Sequence, residues 1–283
     1  MIEGITVTAT RVPTAAEDVP ASIAVISGKE LRARGVTDLR TALLLTAGAS
    51  ASGGGDAGPA GSTPLLRGST ETDDYLLVVD GVPLGGAFNP ATAQVDFRNV
   101  ERLEVLRGPS PVLYGAISFV GVVNISHYAA GQAEDTLQGF AGAHGGGGLS
   151  VAKALPDWHG AKQSLTVGGE RTATTDPTAY ADRLHGLYRA AIAAFGGEFR
   201  LDLDSSYLSQ GPASPVLFDT GGRRLNAYDA NFNPGDARLT DLRHQISLGF
   251  ERLFDFGNVG VTLSAADNLS HHRRGFIAYD PAD

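Results

Sequence analysis

Two hydrophobic rhythms run along this chain, and one gives way to the other near Thr136. Before that point the apolar runs are short and separated by helix-cap and turn residues. Ser22 to Ile26 alternates as a half-buried strand. Ser27 stands as a helix cap, Glu30 occupies the capping-box position, and Gly35 ends the helix. Thr37 is expected to cap a second helix over Asp38 to Thr46, with Leu39, Ala42 and Leu43 on one face and Gly48 as its stop. The Gly- and Pro-rich stretch 48–64 predicts a loop. Tyr75 to Val79 is continuously apolar, as a strand buried on both faces requires, and Asp80-Gly81 turns it. Arg102 to Arg107 and Gly121 to Ile125 predict two more strands. Residues 21–130 thus predict an α+β domain, a four-stranded mixed sheet with two helices, large enough for its own core.

After Thr136 the pattern becomes strict alternation in segments separated by Gly-rich turns. The predicted strands are 136–144, 149–155, 161–170, 184–195, 198–209, 240–254 and 258–271. In the clearest hairpin, Ile246, Leu248 and Phe250 alternate with Ser247, Gly249 and Glu251. Asp255-Phe256-Gly257-Asn258 turns, and Val259, Val261 and Leu263 alternate in the return strand. Alternation fits a membrane β-barrel with apolar residues outward. It fits a soluble sandwich equally well with apolar residues inward. Residues 210–239 break the rhythm and read as a long loop. Residues 1–20 open with the β-branched run Ile5-Thr6-Val7-Thr8, favouring an extended arm whose pairing Pro13 and Pro20 should interrupt.

Composition narrows the class. Glycine supplies 37 of the 283 residues, nearly twice its usual share of about 7%, which suits a turn-rich β protein. The formal charge is −9, which argues against a nucleic-acid partner. No cysteine is present, so thiolate metal sites and disulfides are excluded. No run reaches the roughly 18 apolar residues of a membrane helix. Met1-Ile2-Glu3-Gly4 shows neither the basic region nor the apolar core of a secretory leader, so a leader is expected to have been removed or to lie upstream.

No catalytic constellation emerges. Gly145 to Gly148 lacks the Lys-Ser/Thr of a phosphate loop. Neighbouring His271 and His272 would point to opposite strand faces and cannot chelate together. Asp202 and Asp204 share a face, with no evident catalytic partner. Asp229-x-Asn231-x-Asn233 approaches calcium-loop spacing but lacks the final carboxylate, so it reads as a polar turn. No enzyme, no metal and no cofactor is expected.

The most specific signal lies between Leu65 and Ile125. Leu66-Arg67-Gly68 is followed by Leu76-Leu77-Val78-Val79-Asp80-Gly81-Val82-Pro83. Val100-Glu101-Arg102-Leu103-Glu104-Val105-Leu106-Arg107-Gly108-Pro109 comes next, then Leu113-Tyr114-Gly115 and Gly121-Val122-Val123-Asn124-Ile125. In order and spacing these segments resemble the plug domain of TonB-dependent outer-membrane receptors. Ser118-Phe119-Val120 is bulkier than the glycine-rich step usual there. The resemblance implies an α+β plug domain over 21–130, after an arm over 1–20. Residues 131–283 would then be antiparallel transmembrane β-barrel strands. The barrel would be incomplete over this stretch, since receptors of this kind have about twenty-two strands.

The resemblance also implies function. The whole receptor would sit in the outer membrane of a Gram-negative bacterium, in contact with its lipid, and import a scarce ligand, most often a ferric siderophore. Cobalamin, haem and oligosaccharides are the rival cargoes, and a truncated or soluble plug-like binding module is the rival class. Ile5, Thr6, Val7, Thr8 and Ala9 are similar to the TonB box, which adds a strand to the energy-coupling protein TonB in the periplasm. Arg67, Glu101, Arg102, Glu104 and Arg107 would lock the plug to the barrel wall as ion pairs. Plug loops bearing Ser52, Asp56, Ser62, Phe88 and Asn89 would face the ligand.

Overall fold

The computed structural model describes residues 6–7, 14–15, 22–46, 48–51, 64–66, 75–86, 89–90, 92–108, 120–175, 178–212, 221, 223 and 233–275. These fall into two units, divided between Glu134 and Asp135.

The first unit opens with β1 (Thr6–Val7) and β2 (Thr14–Ala15), paired antiparallel with Thr6 opposite Ala15. The arm therefore folds back on itself at these positions. Pro13 does not prevent this, because a proline just ahead of a strand forfeits no ladder hydrogen bond. Next come β3 (Ser22–Ser27), α1 (Gly28–Ala33), α2 (Leu39–Leu44), β4 (Ala49–Ala51) and β5 (Pro64–Leu66). They are followed by β6 (Tyr75–Val79), β7 (Val82–Pro83), β8 (Gly85–Gly86), β9 (Asn89–Pro90), β10 (Val100–Arg107) and β11 (Gly121–His127). The main sheet has the order β3-β10-β11-β6-β7, mixed because β11 and β6 run parallel. The fifth strand, β7, is a two-residue return from β6. It is reached through Asp80 (φ 49°) and Gly81 (φ 82°), the paired positive φ angles of a tight hairpin.

Both helices pack their apolar faces on one side of this sheet. Leu31, Leu39 and Leu43 meet Leu77, Leu103, Val105, Val123, Ile125 and Phe97 in one buried cluster. Leu76, Val78, Leu106 and Val122 form a smaller cluster with Ile23 and Val25. Each fully buried large side chain contributes about 1.5–3 kcal/mol. The Ser27 hydroxyl accepts from the Glu30 amide at 3.2 Å, capping α1. Asp38, not Thr37, caps α2, its carboxylate accepting from both the amide and the hydroxyl of Thr41 at 2.8 Å. A carboxylate that collects two donors outcompetes a neighbouring hydroxyl for the cap.

Gly28 opens α1 hard against β10. A Cβ there would stand 1.6 Å from the Val100 carbonyl oxygen, which also accepts a 2.6 Å hydrogen bond from Arg32 Nη1. Gly28→Ala is expected to push α1 off the sheet at about 1–3 kcal/mol or more, the cost of an overpacked core. Thermal unfolding of the plug should drop by several degrees. An unchanged melting curve would mean that this approach is not as close as described.

The second unit is an antiparallel meander in sequence order. Its strands are β12 (Thr136–Ala141), β13 (Gly147–Trp158), β14 (Ala161–Thr172), β15 (Ala181–Ala194), β16 (Gly197–Gln210), β17 (Arg238–Phe254) and β18 (Gly257–Arg273). The predicted strand 136–144 ends at Ala141, because Ala143–Gly145 forms a 3-10 turn with His144 at φ 57° and Gly145 at φ 82°. Connections alternate between short and long. His159-Gly160 and Phe195-Gly196 make two-residue turns with positive φ at both positions. The connections at the other end are longer, the longest running from 211 to 237. Among the described residues the sheet has free edges at β12 and β18.

The two faces of this meander decide between the membrane and soluble readings. Leu149, Val151, Val167, Leu184, Leu248 and Leu263 are exposed, whereas Ser150, Thr166, Glu170, Arg189, Asp202 and Ser247 are buried. The apolar face points outward and the polar face inward, the reverse of a soluble sandwich.

Candidate functional site

The charged residues of β10 gather in the plug sheet. Glu104 is fully buried. Its carboxylate accepts from Arg102 Nε at 2.6 Å and from Asn124 Nδ2 at 2.9 Å. Arg102 also reaches Glu101 at 3.4 Å. Glu101, Arg102 and Glu104 are thus brought together. The Arg107 guanidinium lies near Gly48, where a Cβ would stand 3.2 Å from its Nη1. Arg67 lies outside the described residues, as do Ile5, Thr8, Ala9, Ser52, Asp56, Ser62 and Phe88; Asn89 is described only as backbone in β9.

Three further polar clusters were missed in the sequence. At the end of β6, Asp80 accepts from the His127 amide at 2.9 Å and lies 2.8 Å from His127 Nδ1. The parallel register of β6 and β11, with Val79 opposite Ile125, brings them together. Asp96 and Arg98 form a buried ion pair beside Phe97. Arg32 on α1 pairs with Glu134 at 2.7 Å, and Tyr128 donates to the same carboxyl at 2.9 Å. Burial alone would raise the Glu134 carboxyl, but the hydrogen bonds from Tyr128 and Arg32 and the Arg32 charge hold it below its ordinary value. Burial pushes the Tyr75 hydroxyl well above its usual range. Asp80 and His127, and Arg32 and Glu134, come from segments far apart in sequence, so no local spacing marks them, whereas Asp96 and Arg98 are two residues apart.

The inward face of the meander carries cross-strand ion pairs. Arg183 meets Glu170 at 3.0 Å, and Arg189 meets Asp202 at 2.8 Å. His185 lies 3.2 Å from Asp204. Asp202 and Asp204 share a face, as their spacing predicts, but each sits against a basic group rather than the other. Of the two neighbouring histidines, His272 reaches Asp241, at 3.0 Å. Among the described residues no group of three or more His, Asp or Glu could hold a metal ion. Aromatic residues collect at the short-turn end: Phe195 against Phe199, Phe199 against Phe250, and Phe254 stacked on Phe256. Rings at the ends of an outward apolar band match the interfacial belt of a membrane barrel.

This is the architecture of a plug followed by outer-membrane barrel strands, and comparison with known proteins agrees. The TonB-dependent Receptor Plug Domain family matches residues 15–122. The iron-regulated outer membrane virulence protein of Vibrio cholerae is 33% identical over 132 residues, 44% of this chain and 20% of that protein. The ferrioxamine B receptor of Salmonella typhimurium is 26% identical over 266 residues, 88% of this chain and 37% of the receptor. The solved pyoverdine outer membrane receptor FpvA of Pseudomonas aeruginosa, bound to pyoverdine, shares the fold. Its TM-score is 0.78 at 19% identity, over 97% of this chain and 41% of that one. Residues 15–122 belong to the TonB-dependent receptor plug domain family, and the chain corresponds to the plug and part of the β-barrel of the receptors it resembles. It spans well under half the length of these relatives. TonB-dependent receptors are transporters, so the class is not an enzyme.

Proposed function

We propose that the receptor containing this chain imports a ferric siderophore across the outer membrane, using energy delivered by TonB. The observation that carries this reading is the similarity to the ferrioxamine B receptor over 88% of the chain. That stretch runs beyond the plug motifs, which are common to every cargo class, into the barrel strands. In this reading the short turns at 159–160, 195–196 and 255–256 face the periplasm and the long connections face outside. Ligand settles at the outer mouth, against plug loops bearing Ser52, Asp56, Ser62, Phe88 and Asn89. Binding frees the arm at Ile5, Thr6, Val7, Thr8 and Ala9, and TonB adds a strand to it. Arg67, Glu101, Arg102, Glu104 and Arg107 supply charges that hold the plug until TonB pulls.

The test is uptake of radiolabelled ferrioxamine B by iron-starved cells lacking their own siderophore receptors and supplied with the whole receptor. Saturable uptake that vanishes in a TonB-deficient strain is expected. Uptake of cobalamin or haem with no ferric siderophore transported would replace the cargo assignment.

A further inference from the structure

On the outward face of the meander, near the ends of the strands that feed the long connections, arginines collect around one ring. The Tyr180 ring is met by two guanidiniums, with the Arg171 centre at 4.4 Å and the Arg238 centre at 4.2 Å from its centroid. Arg238 also donates to the Tyr180 hydroxyl. Asp182 stands directly across from Arg171 and accepts two hydrogen bonds from it, at 2.6 and 2.8 Å. Arg273 lies opposite Arg238 in the β17–β18 register and pairs with Asp236 at 2.6 Å. Two carboxylates thus answer three guanidiniums, and Arg238 pairs with no carboxylate among the described residues.

Beneath this cluster the apolar face is hollowed. A recess of about 540 Å³ is bordered by Leu149, Val151, Val167, Leu184 and Tyr207, with Gly186 among its lining. The rows are continuous: Gly169 faces Leu184 and Leu184 faces Tyr207, one outward row below Arg171 and Asp182. Gly186 explains the hollow. It lies within β15 without a positive φ, and a Cβ added there would meet nothing within 4 Å. Neither backbone conformation nor packing requires glycine at this position. Its effect is to leave a lipid-facing space open.

We infer that this face holds a phosphate-bearing membrane lipid, its headgroup on Arg238 and Arg171 around Tyr180 and one acyl chain in the recess at Gly186. The inference rests on the outward face being the lipid face. Guanidiniums bind phosphate oxygens through paired N–H groups, and stacking on Tyr180 fixes their planes beforehand. A tyrosine flanked by arginines above an apolar band lies at headgroup depth, where such side chains anchor to the interface. The overhang of charge over a matching hollow suits a lipid, which carries both parts in one molecule.

The test is native mass spectrometry of the whole receptor in detergent, titrated with dioleoyl phosphatidic acid, with dioleoylglycerol and with inorganic phosphate. Phosphatidic acid should remain bound. Dioleoylglycerol, with the same chains and no phosphate, should bind about tenfold more weakly. Arg238→Gln should weaken phosphatidic acid about fivefold, as expected for one arginine near a headgroup. Gly186→Leu, which fills the hollow and leaves the charges alone, should weaken it too. Asp182→Asn, which releases Arg171, should strengthen it, an effect opposite in sign to mere structural damage. Equal binding of the two lipids, or no response to Arg238→Gln and Gly186→Leu, would overturn the inference. Displacement of the lipid by inorganic phosphate at similar concentration would overturn it in favour of a free-anion site. Gly186→Leu is expected to keep ferrioxamine uptake. A wild-type receptor that neither enters the membrane nor transports would contradict the proposed function instead.

Discussion

Val7→Pro is expected to abolish energised uptake by the whole receptor while leaving ligand affinity within about twofold. Proline removes a backbone donor and fixes φ, so a strand that recognises its partner through the main chain loses its register there. Val7 sits in β1, opposite Thr14, and Thr6→Pro should behave in the same way. The effect on uptake is large because coupling depends on the added strand. The effect on binding is small because the ligand site is read as lying at the opposite, outer end of the receptor. Uptake of labelled ferric siderophore and equilibrium binding to whole cells separate the two. Wild-type uptake in both proline variants would remove the TonB assignment of residues 5–9.

Glu104→Ala is expected to loosen the plug sheet by about 3 kcal/mol. Removing one partner of a buried ion pair typically costs about 3–5 kcal/mol, because the opposite charge is left behind without its counter-charge. The lower end applies here, since Arg102 keeps its contact with Glu101 and its side chain is 24% exposed, so water screens part of the loss. Asn124 Nδ2 loses the same acceptor. Glu104→Gln keeps an acceptor for both donors and should cost roughly half as much. Hydrogen exchange of the β10 and β11 amides is the measurement. The alanine variant should exchange about 100-fold faster, the equivalent of about 3 kcal/mol. Unchanged exchange in the alanine variant would show that the carboxylate does not hold this sheet.

Much of the fold was legible in the sequence, and the reasons are local. Ser27 with Glu30, the continuous run at Tyr75–Val79, the Asp80-Gly81 turn and the alternation around Leu248 each constrain their own neighbourhood strongly. The cap of α2 was misplaced by one residue, because Thr37 and Asp38 are both capping types and only the structure shows which side chain collects the Thr41 donors. The fold-back at Thr6 and Val7 is not legible in the sequence, because Pro13 signals a break in pairing, whereas a proline just ahead of a strand forfeits no ladder hydrogen bond. Alternation left the direction of the barrel faces open; burial of Arg189 and Asp202 beside exposed Leu184 and Leu203 settled it. Asp80 with His127 and Tyr180 with its two arginines depend on strand register, which no sequence window contains.

Spin labels placed singly at Ile246, Ser247, Leu248 and Gly249 of the whole receptor in a bilayer test the account most directly. The chain has no cysteine of its own to interfere. Labels at Ile246 and Leu248 should collide freely with oxygen dissolved in the lipid, and labels at Ser247 and Gly249 should not. That two-residue period would establish the exposed apolar face of β17 as the lipid face. Equal access of a water-soluble nickel complex to all four labels would contradict a membrane-spanning barrel.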